Sequence, residues 1–423
     1  MNLTLTNFFG LVGGLLVLAF VANRLSRRTR VPDVIVLLFC GIVLGPVLHW
    51  IDAGRFPAII RGVGTLALIL ILFAAGLELD LRRARRQFLA GAVLALLSFA
   101  LTLIGITFFC FHVFGMRRMP SLLVAAPLAC VSGSIVLPIL DQLDLPYRLK
   151  TTLVIEASLG DGLGALVVGV LLDLLSGGSV GTSSRGAILG SVAAIFVYRF
   201  LIGFAVALIA GFLWSRLLPR ISNKQFLQAL TFAAVLIVYS GTHALNGSAL
   251  FAVLVFGATL ASLLGPDSFL RDFGFEVSPS SNSDEMYSFH SELAFLVRSF
   301  FFVLLGAMIQ FKGLRKELLP SLGILAVLLV ARYVAVFLSR SVWRKTTAHE
   351  RELAFTLIPR GLITAVLALE VFQAAPSDLA FLPSLTFALI LFTNVLVLVA
   401  SIRARPLAGA QDPAPSTELV SQP

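Results

Sequence analysis

Long apolar runs separated by short polar segments dominate this sequence of 423 residues. A transmembrane helix needs about 20 apolar residues, since each residue advances the helix by about 1.5 Å across a hydrocarbon core of roughly 30 Å. The pattern therefore predicts an all-α polytopic membrane protein with about 13 transmembrane helices. The predicted spans are 8–23, 32–51, 58–78, 88–113, 120–140, 151–175, 188–215, 225–244, 247–264, 293–311, 318–339, 352–373 and 379–402.

Two longer segments interrupt this pattern with polar residues. The segment 265–292 is rich in Ser, Pro, Asp and Glu, and 404–423 is polar and contains proline. Such compositions favour loops and disorder. We expect one membrane domain over residues 1–403, with a cytoplasmic loop at 265–292, and a disordered C-terminal tail at 404–423.

The basic residues set the orientation of the predicted spans. Lys and Arg concentrate in alternate loops, at 24–30, 82–86, 148–150, 216–224, 344–345 and 403–405. Positive loops stay in the cytoplasm, so the N-terminus is expected outside and the C-terminus inside a cell membrane, as in a bacterial inner membrane. The net charge of +10 is dispersed over these loops, which argues against a nucleic-acid partner. No Lys or Arg precedes the first span, so we expect it to be retained and not cleaved.

Charged residues inside apolar spans indicate transport. Glu156 and Asp161 lie in the span 151–175, and Arg360 lies in 352–373. Each costs roughly 2.5 to 3.5 kcal/mol at mid-bilayer, so such groups normally face a partner or a water-filled path. We predict that Glu156 and Arg360 form a structural ion pair and that Asp161 is exchangeable. The alternative is that Arg360 pairs elsewhere or extends to the membrane interface.

The helical positions of these residues support the separation of the two acids. At about 100° per residue, Ser158 and Asp161 share a helix face, whereas Glu156 lies about 140° from Asp161. Burial favours the protonated form of Asp161, which can then hold either a proton or a cation, but not both.

Two predicted spans contain residues that weaken helices. The fifth has Ser132, Gly133 and Ser134 near its middle, and the twelfth has the run Pro359 to Gly361. Small residues in a membrane helix also serve close packing. One interrupted span in each half, however, is typical of inverted-repeat transporters, in which such breaks lie at the substrate site and the exposed helix ends present partial charges to an ion.

Four motifs resemble those of the monovalent cation:proton antiporters, the superfamily with a sodium/proton exchanger membrane domain. They are RVPDVIVLLFCGIVLGP (30–46), FAAGLELDLRRARR (73–86), RSFFFVLLGAMI (298–309) and PRGLITAVLALE (359–370). The resemblance covers nearly the whole membrane portion, in family order. It implies a homodimer in which each protomer has a scaffold and a moving six-helix bundle, alternating access, and a crossing of the fifth and twelfth spans at the ion site.

The sequence departs from this family at two places. Gly160 precedes Asp161 where relatives commonly have Asn or Asp, and the run from Ser132 to Ser134 stands where they have Thr-Asp-Pro. A serine that relatives place directly after the glutamate appears here one position later, as Ser158. The first departure removes a side chain that in relatives helps hold the acid and the arginine. The second departure removes a candidate ligand.

The resulting expectation is exchange of a monovalent cation, Na⁺ first, for H⁺, one for one and without net charge transfer. Asp161 binds the cation or the proton, and Ser158, the Ser132 hydroxyl and freed backbone carbonyls supply further oxygens. The Ser132 hydroxyl has the alternative of bonding its own helix backbone. Glu156 also belongs to the predicted site, and Arg298, Gly160, Gly133 and Ser134 are candidate supports. The cargo is Na⁺, Li⁺ or K⁺ together with H⁺, and no cofactor or enzymatic activity is expected.

Other functions remain as alternatives. The same fold can carry K⁺ in exchange for H⁺ or another ion, and a channel is a different class, although no filter loop is visible. An intramembrane aspartyl protease is the enzymatic alternative, because SLGDG around Asp161 faintly resembles its motif. That chemistry needs aspartates on two helices, and Asp173 shares the span of Asp161. Arg298 either pairs with an acid across the bundle interface or lies at the membrane interface.

Overall fold

Each of the thirteen predicted spans is helical over most of its described residues in the computed structural model of the protein. It describes residues 5–29, 33–50, 57–78, 81–140, 145–175, 185–218, 224–264, 282–308, 311–343 and 347–403, which contain no strand. Seven of the described helices are long and apolar enough to cross a membrane, and shorter apolar helices lie between them. The all-α membrane fold predicted from the sequence is confirmed.

The helices follow the predicted order along the chain. The first eight are α1 (Leu5–Thr29), α2 (Asp33–Ile42), α3 (Pro57–Glu78), α4 (Leu81–Val113), α5 (Arg118–Leu128), α6 (Gly133–Leu140), α7 (Tyr147–Leu175) and α8 (Arg185–Leu217). The others are α9 (Lys224–Ala244), α10 (Ala249–Leu264), α11 (Asn282–Ala307), α12 (Phe311–Leu338), α13 (Ala348–Thr356), α14 (Leu362–Ala374) and α15 (Leu382–Arg403). A π-helical turn, Val43–Val47, continues α2 around Pro46.

Large apolar side chains lie on the outer surface as well as in the core. Val17, Ile104, Ile209 and Ile237 are each 65% or more exposed, on four different helices. In water such a surface would be unfavourable, but in a bilayer these side chains contact lipid. The exposed apolar surface therefore agrees with a membrane-spanning fold.

Contacts between helices divide the protein into two groups. The first, here called the scaffold, contains α1 to α3 and α8 to α11, with α3 packed on α10 and α11, and α2 packed on α11. The second, here called the bundle, contains α4 to α7 and α12 to α15, with α4 packed on α7 and α12. Contacts of α7 with α10, and of α3 with α7 and α14, join the two groups.

Two glycine pairs bring scaffold helices into backbone contact. A Cβ on Gly41 would overlap the carbonyl of Val303, and one on Gly306 would overlap that of Leu38. Gly76 and Gly257 form the same kind of contact between α3 and α10. Small residues allow such close approach because no side chain separates the two backbones.

Two spans are broken where the sequence predicted breaks. The fifth is split into α5 and α6 by residues 129–132, and the twelfth into α13 and α14 by residues 357–361. The two breaks cross, since the Ser132 N–H donates to the Pro359 carbonyl over 2.9 Å. The crossed pair of broken helices is therefore confirmed.

The predicted loop at 265–292 needs a correction. Residues 282–292 are the first turns of α11, because polar residues mark where a helix leaves the membrane and not where the helix ends. The remainder of that segment, 265–281, and the predicted tail at 404–423 lie outside the described residues.

Candidate ion-binding site

The first break packs closely against small residues of α7. A Cβ on Gly164 would overlap the Cys130 Sγ, and one on Gly133 would lie 3.7 Å from the Ala157 Cβ. The backbone of the break therefore reaches the surface of α7 only because α7 presents small residues there. This close approach places the start of α6 beside Asp161.

Asp161, on α7, is buried beside the N-terminus of α6. The residue is only 3% exposed. Oδ2 accepts a hydrogen bond from the Gly133 N–H over 3.2 Å, whereas Oδ1 has no hydrogen-bond partner among the described residues. The positive end of the helix dipole favours a carboxylate at this place. One oxygen of Asp161 is thus fixed and the other is open to a ligand.

Two serine hydroxyls lie in the same region. Ser158 is 1% exposed, and its Oγ has no hydrogen-bond partner in the described part of the chain. Ser132 is equally buried, and a Cβ on Gly361 would overlap its Oγ, so this hydroxyl lies directly at the crossing. Ser132 directly precedes Gly133, whose N–H donates to Asp161, so Ser132 lies at the break that Asp161 contacts from α7. The side chain of Ser134 lies outside the described residues.

Two backbone carbonyls of the first break already accept hydrogen bonds. The Ser132 carbonyl accepts from the N–H groups of Ile135 and Val136 over 3.3 and 3.1 Å, as the first turn of α6 forms. The Cys130 carbonyl accepts from the Arg360 guanidinium. The Asp161 Oδ1 and the Ser158 Oγ, which have no hydrogen-bond partner among the described residues, are therefore more available to a cation here than these two carbonyls.

The predicted ion pair between Glu156 and Arg360 is wrong. Glu156 pairs with Arg332 of α12 through both carboxylate oxygens, and the distance from Nη2 to Oε2 is 2.9 Å. Arg332 also donates through Nε to the Ala354 carbonyl over 2.9 Å, and through Nη1 to Ser98 Oγ over 3.2 Å. The bidentate geometry satisfies a charge that is otherwise very costly in a membrane. Glu156 therefore has a structural partner, but it comes from the eleventh span.

Arg360 stabilises the crossing in another way. Its N–H donates to Thr393 Oγ1 over 3.0 Å, and its carbonyl accepts from Asn394 Nδ2 over 2.9 Å, so α15 holds the second break by its backbone. Its guanidinium donates to the Cys130 carbonyl, just beyond the end of α5. Within the described residues Arg360 forms no ion pair, although it interacts electrostatically with Glu156 and Asp161.

Arg332 and Arg360, the buried arginines of the described part of the bundle, each donate to the carbonyl end of a half-helix. Arg332 contacts Ala354 in the last turn of α13, and Arg360 contacts Cys130 after α5. The exposed carbonyls there carry partial negative charge, which a cation stabilises. The sequence reasoning missed Arg332, although a lone arginine inside an apolar span was the signal that identified Arg360.

Two further ion pairs involve charged residues of the spans. Arg298 donates to Asp33 Oδ2 over 2.6 Å, which joins α11 to α2 within the scaffold. Arg298 therefore pairs with an acid, but the prediction that this pair crosses the bundle interface is wrong, because both residues belong to the scaffold. Asp173 on α7 pairs with Arg199 on α8, and so connects the bundle to the scaffold.

The site is a buried carboxylate at the crossing of two broken membrane helices, with one oxygen hydrogen-bonded and the other without a partner among the described residues. Such a site defines a secondary transporter of cations. An intramembrane aspartyl protease needs aspartates on two helices, but Asp161 and Asp173 both lie on α7, so that alternative is not supported. Residues 15–408 match the family described as "Sodium/hydrogen exchanger, transmembrane". The chain belongs to this family, whose members exchange a cation for a proton and are not enzymes.

Similar proteins from bacteria and archaea support this assignment. A K(+)/H(+) antiporter NhaP of Alkalimonas amylolytica is 25% identical over 87% of this chain, and the match spans 61% of that relative's length. The Na(+)/H(+) antiporter 1 of Methanocaldococcus jannaschii is 25% identical over 86% of this chain and 82% of its own. The solved structure of the sodium proton antiporter MjNhaP1 from Methanocaldococcus jannaschii, at pH 8, has the same fold, with a TM-score of 0.78 and 22% identity over 94% of this chain and 98% of that one.

Proposed function

We propose that this protein exchanges a monovalent cation, Na⁺ first, for a proton across the membrane, with Asp161 as the group that binds either one. The observation that carries the proposal is the state of this carboxylate. It is buried, it accepts one N–H from the start of α6, and its second oxygen has no partner among the described residues. A proton or a cation can satisfy that oxygen, but each excludes the other.

Ser158 and Ser132 are the proposed additional cation ligands. Both hydroxyls are buried near the crossing, and a carboxylate alone offers at most two of the several oxygens that a cation requires. Glu156 is proposed as a structural residue, because Arg332 occupies both of its oxygens. Gly133 supports the site through its N–H, and its Cβ position lies 3.3 Å from Asp161 Oδ2, so a larger residue would crowd the carboxylate.

The exchange is proposed to be electroneutral and to proceed by alternating access. With one exchangeable carboxylate, each half of the cycle carries one positive charge, either Na⁺ or H⁺. The bundle would move relative to the scaffold, since α5, α6, α13 and α14, which form the crossing, all belong to the bundle. The cycle requires no resident cofactor, because the cations are cargo.

Exchange of K⁺ for H⁺ is the second candidate function. One similar protein is named a K(+)/H(+) antiporter, whereas several others are named Na(+)/H(+) antiporters. The arrangement of oxygens around the cation determines which ion size is bound preferentially. Exchange measured with Na⁺, Li⁺ and K⁺ in turn therefore distinguishes the two functions.

The proposed setting is a cell membrane, with the N-terminus outside and the C-terminus in the cytoplasm. The distribution of Lys and Arg over alternate loops supports this orientation. A homodimer is proposed from the resemblance of the four motifs to the antiporter superfamily. Chemical labelling of single cysteines placed in loops on opposite sides of the membrane would test the orientation, and cross-linking in native membranes would test the dimer.

The exchange activity is tested in liposomes that contain the purified protein, a pH-sensitive dye and an imposed proton gradient. Na⁺, Li⁺ and K⁺ are added in turn, for the wild type and for Asp161→Asn. The matched control is Asp378→Asn, which makes the same chemical change at an exposed residue. We expect cation-dependent loss of the gradient for the wild type and the control, and none for Asp161→Asn.

Two results would contradict the proposal. Exchange that persists in Asp161→Asn would mean that another group carries the proton. A lack of response to every cation by monodisperse wild-type protein would mean that its cargo is of another kind. A current under voltage clamp with opposed gradients would refute electroneutral exchange while leaving exchange itself intact.

A further inference from the structure

A cavity of about 60 Å³ lies between the scaffold and the bundle, beside the second break. Leu305 and Met308, at the end of α11, form its scaffold wall, and residues of α14 and α15, among them Ala365 and Thr386, form its bundle wall. The cavity extends from the half-exposed Met308 to the buried Ala365, which lies in the first turn of α14. In the proposed orientation it therefore leads from the outer side of the protein to within one helical turn of the crossing.

Two buried threonine hydroxyls at this cavity lack hydrogen-bond partners among the described residues. Thr386 lines the cavity and is 3% exposed, and Thr364 directly precedes Ala365 and is fully buried. Thr242, on α9 of the scaffold, shares this property. Threonines in membrane helices commonly donate to the carbonyl of the preceding turn. Six threonines of the described helices do so: Thr107, Thr152, Thr231, Thr259, Thr356 and Thr393.

The second break explains why the Thr364 hydroxyl is available. The carbonyl four residues before it belongs to Arg360, and this carbonyl accepts from Asn394 of α15. A buried hydroxyl without a partner costs free energy, so a cation that it can bind stabilises it. Unpaired oxygens thus lie in the cavity, at Thr386, and in the first turn of α14, at Thr364. Ser132 follows at the crossing, where the Asp161 site begins.

The charge near this cavity favours cations. Glu370, next to the cavity residue Leu369, is half-buried and interacts electrostatically with Tyr239 on α9 of the scaffold. α14 itself contains no Lys or Arg. An acid at the boundary between bundle and scaffold raises the local concentration of cations. The cavity is also large enough, because one water molecule needs about 10 to 15 Å³ of such space and neither Na⁺ nor K⁺ is larger than a water molecule.

We propose that this cavity is the outer passage of the exchanger, and that Thr386 and Thr364 bind the cation in transit between the outer surface and Asp161. This inference rests on the proposed function and on the proposed orientation. The two hydroxyl oxygens replace part of the hydration shell as the ion leaves the aqueous phase. Because one wall belongs to the scaffold and the other to the bundle, movement of the bundle changes the width of the passage.

Cysteines at two cavity positions test access. Thr386→Cys and Ser384→Cys are treated with a positively charged, membrane-impermeant methanethiosulfonate, in right-side-out and in inverted membrane vesicles. Labelling and exchange are both measured. Reagent on the outer face is expected to label each variant and to abolish exchange, because the attached group fills the cavity, and external Na⁺ should slow the labelling. The wild type is the control, since its own cysteines are buried or half-buried.

Valine variants test the hydroxyl oxygens. Thr386→Val and Thr364→Val keep the shape of the side chain and remove the oxygen. Each is expected to raise the apparent KM for Na⁺ supplied from the outer side about fivefold, the effect of one net hydrogen bond, and to leave the KM from the inner side unchanged. Thr107→Val is the matched control, because Thr107 also lies in the outer half of a bundle helix and its hydroxyl donates to the Leu103 carbonyl over 2.6 Å. It is expected to change neither KM.

Four results would overturn the inference. They are no labelling of either cysteine variant from the outer face, labelling without loss of exchange, loss of exchange only with reagent on the inner face, and equal rises of both KM values in the valine variants, which would indicate a structural role. If Thr386→Cys does not fold, Ser384→Cys gives the same decision at a half-exposed position. Absence of exchange with every cation in the wild type refutes the proposed function instead, and the labelling pattern still reports whether the cavity opens to the outer face.

Discussion

Replacement of Arg332 by methionine is expected to cause a large loss of stability. Arg332 is 1% exposed, holds both oxygens of Glu156, and also donates to Ala354 and Ser98. Removal of one partner from a buried ion pair costs about 3 to 5 kcal/mol, because the remaining charge is left unpaired. The unpaired Ala354 carbonyl adds about 1 to 3 kcal/mol. We therefore expect Arg332→Met to lower the free energy of unfolding by at least about 4 kcal/mol.

A double-mutant cycle separates the ion pair from these other contacts. The cycle combines Arg332→Met with Glu156→Leu, and reversible SDS titration in mixed micelles measures the free energy of unfolding. The double variant has no unpaired charge. Its loss in the free energy of unfolding should therefore be smaller than the summed losses of the two single variants, by at least about 2 kcal/mol. Arg340→Met is the control, because Arg340 is exposed near the end of the same helix and stacks on Phe337. It should change stability by less than about 1 kcal/mol.

The same cycle with Arg360 decides between the two possible partners of Glu156. Arg360 donates to a backbone carbonyl and not to Glu156, so its coupling to Glu156→Leu should be smaller than that of Arg332. A larger coupling for Arg360 than for Arg332 would refute the assignment of the ion pair. Additive effects of Arg332→Met and Glu156→Leu would refute the argument that the pair contributes as a unit.

Three further predictions concern the packing and motion of the helices. The charge reversals Asp173→Arg and Arg199→Asp should each slow exchange in the liposome assay, and the two together should restore it, because this ion pair joins bundle and scaffold. Asn394→Leu should lower the maximal rate several-fold without loss of the monodisperse protein, since it removes the amide that holds the second break; a wild-type rate would contradict this role. Gly306→Val should abolish folding, as its side chain would overlap the α2 backbone, whereas Gly13→Ala, with open space around it, should express normally in a membrane-fraction comparison.

Local signals in the sequence were sufficient to predict the fold and the position of both breaks. Apolar runs of about 20 residues mark the spans, and Gly133 and Pro359 mark the interruptions because each disfavours the interior of a helix. The face shared by Ser158 and Asp161 follows from helical periodicity alone. All of these features depend on residues that are neighbours in the sequence.

The partner of Glu156 could not be found in the same way. Two spans of the bundle each contain a lone buried arginine, and both Arg332 and Arg360 can form a bidentate contact with a carboxylate. The choice depends on how α4, α7 and α12 pack, since Arg332 reaches Glu156 only where Ser98 and Ala354 also accept from it. Such a choice between two chemically equal partners is made by tertiary structure and leaves no trace in local sequence.

The two arginines also bear on the charge that crosses the membrane. Arg332 and Glu156 neutralise each other, while Arg360 keeps its positive charge near Asp161. If Asp161 carries either H⁺ or Na⁺, the bundle has the same net charge in both loaded states, because each cargo neutralises the same carboxylate. The fixed charge of Arg360 travels in both directions and cancels over the cycle. The empty bundle, with Asp161 ionised, has one positive charge fewer than either loaded state. Its buried carboxylate accepts one hydrogen bond among the described residues, and this incomplete satisfaction disfavours its passage without cargo. Obligatory exchange and electroneutrality would then have the same origin, in a single carboxylate that requires one positive partner.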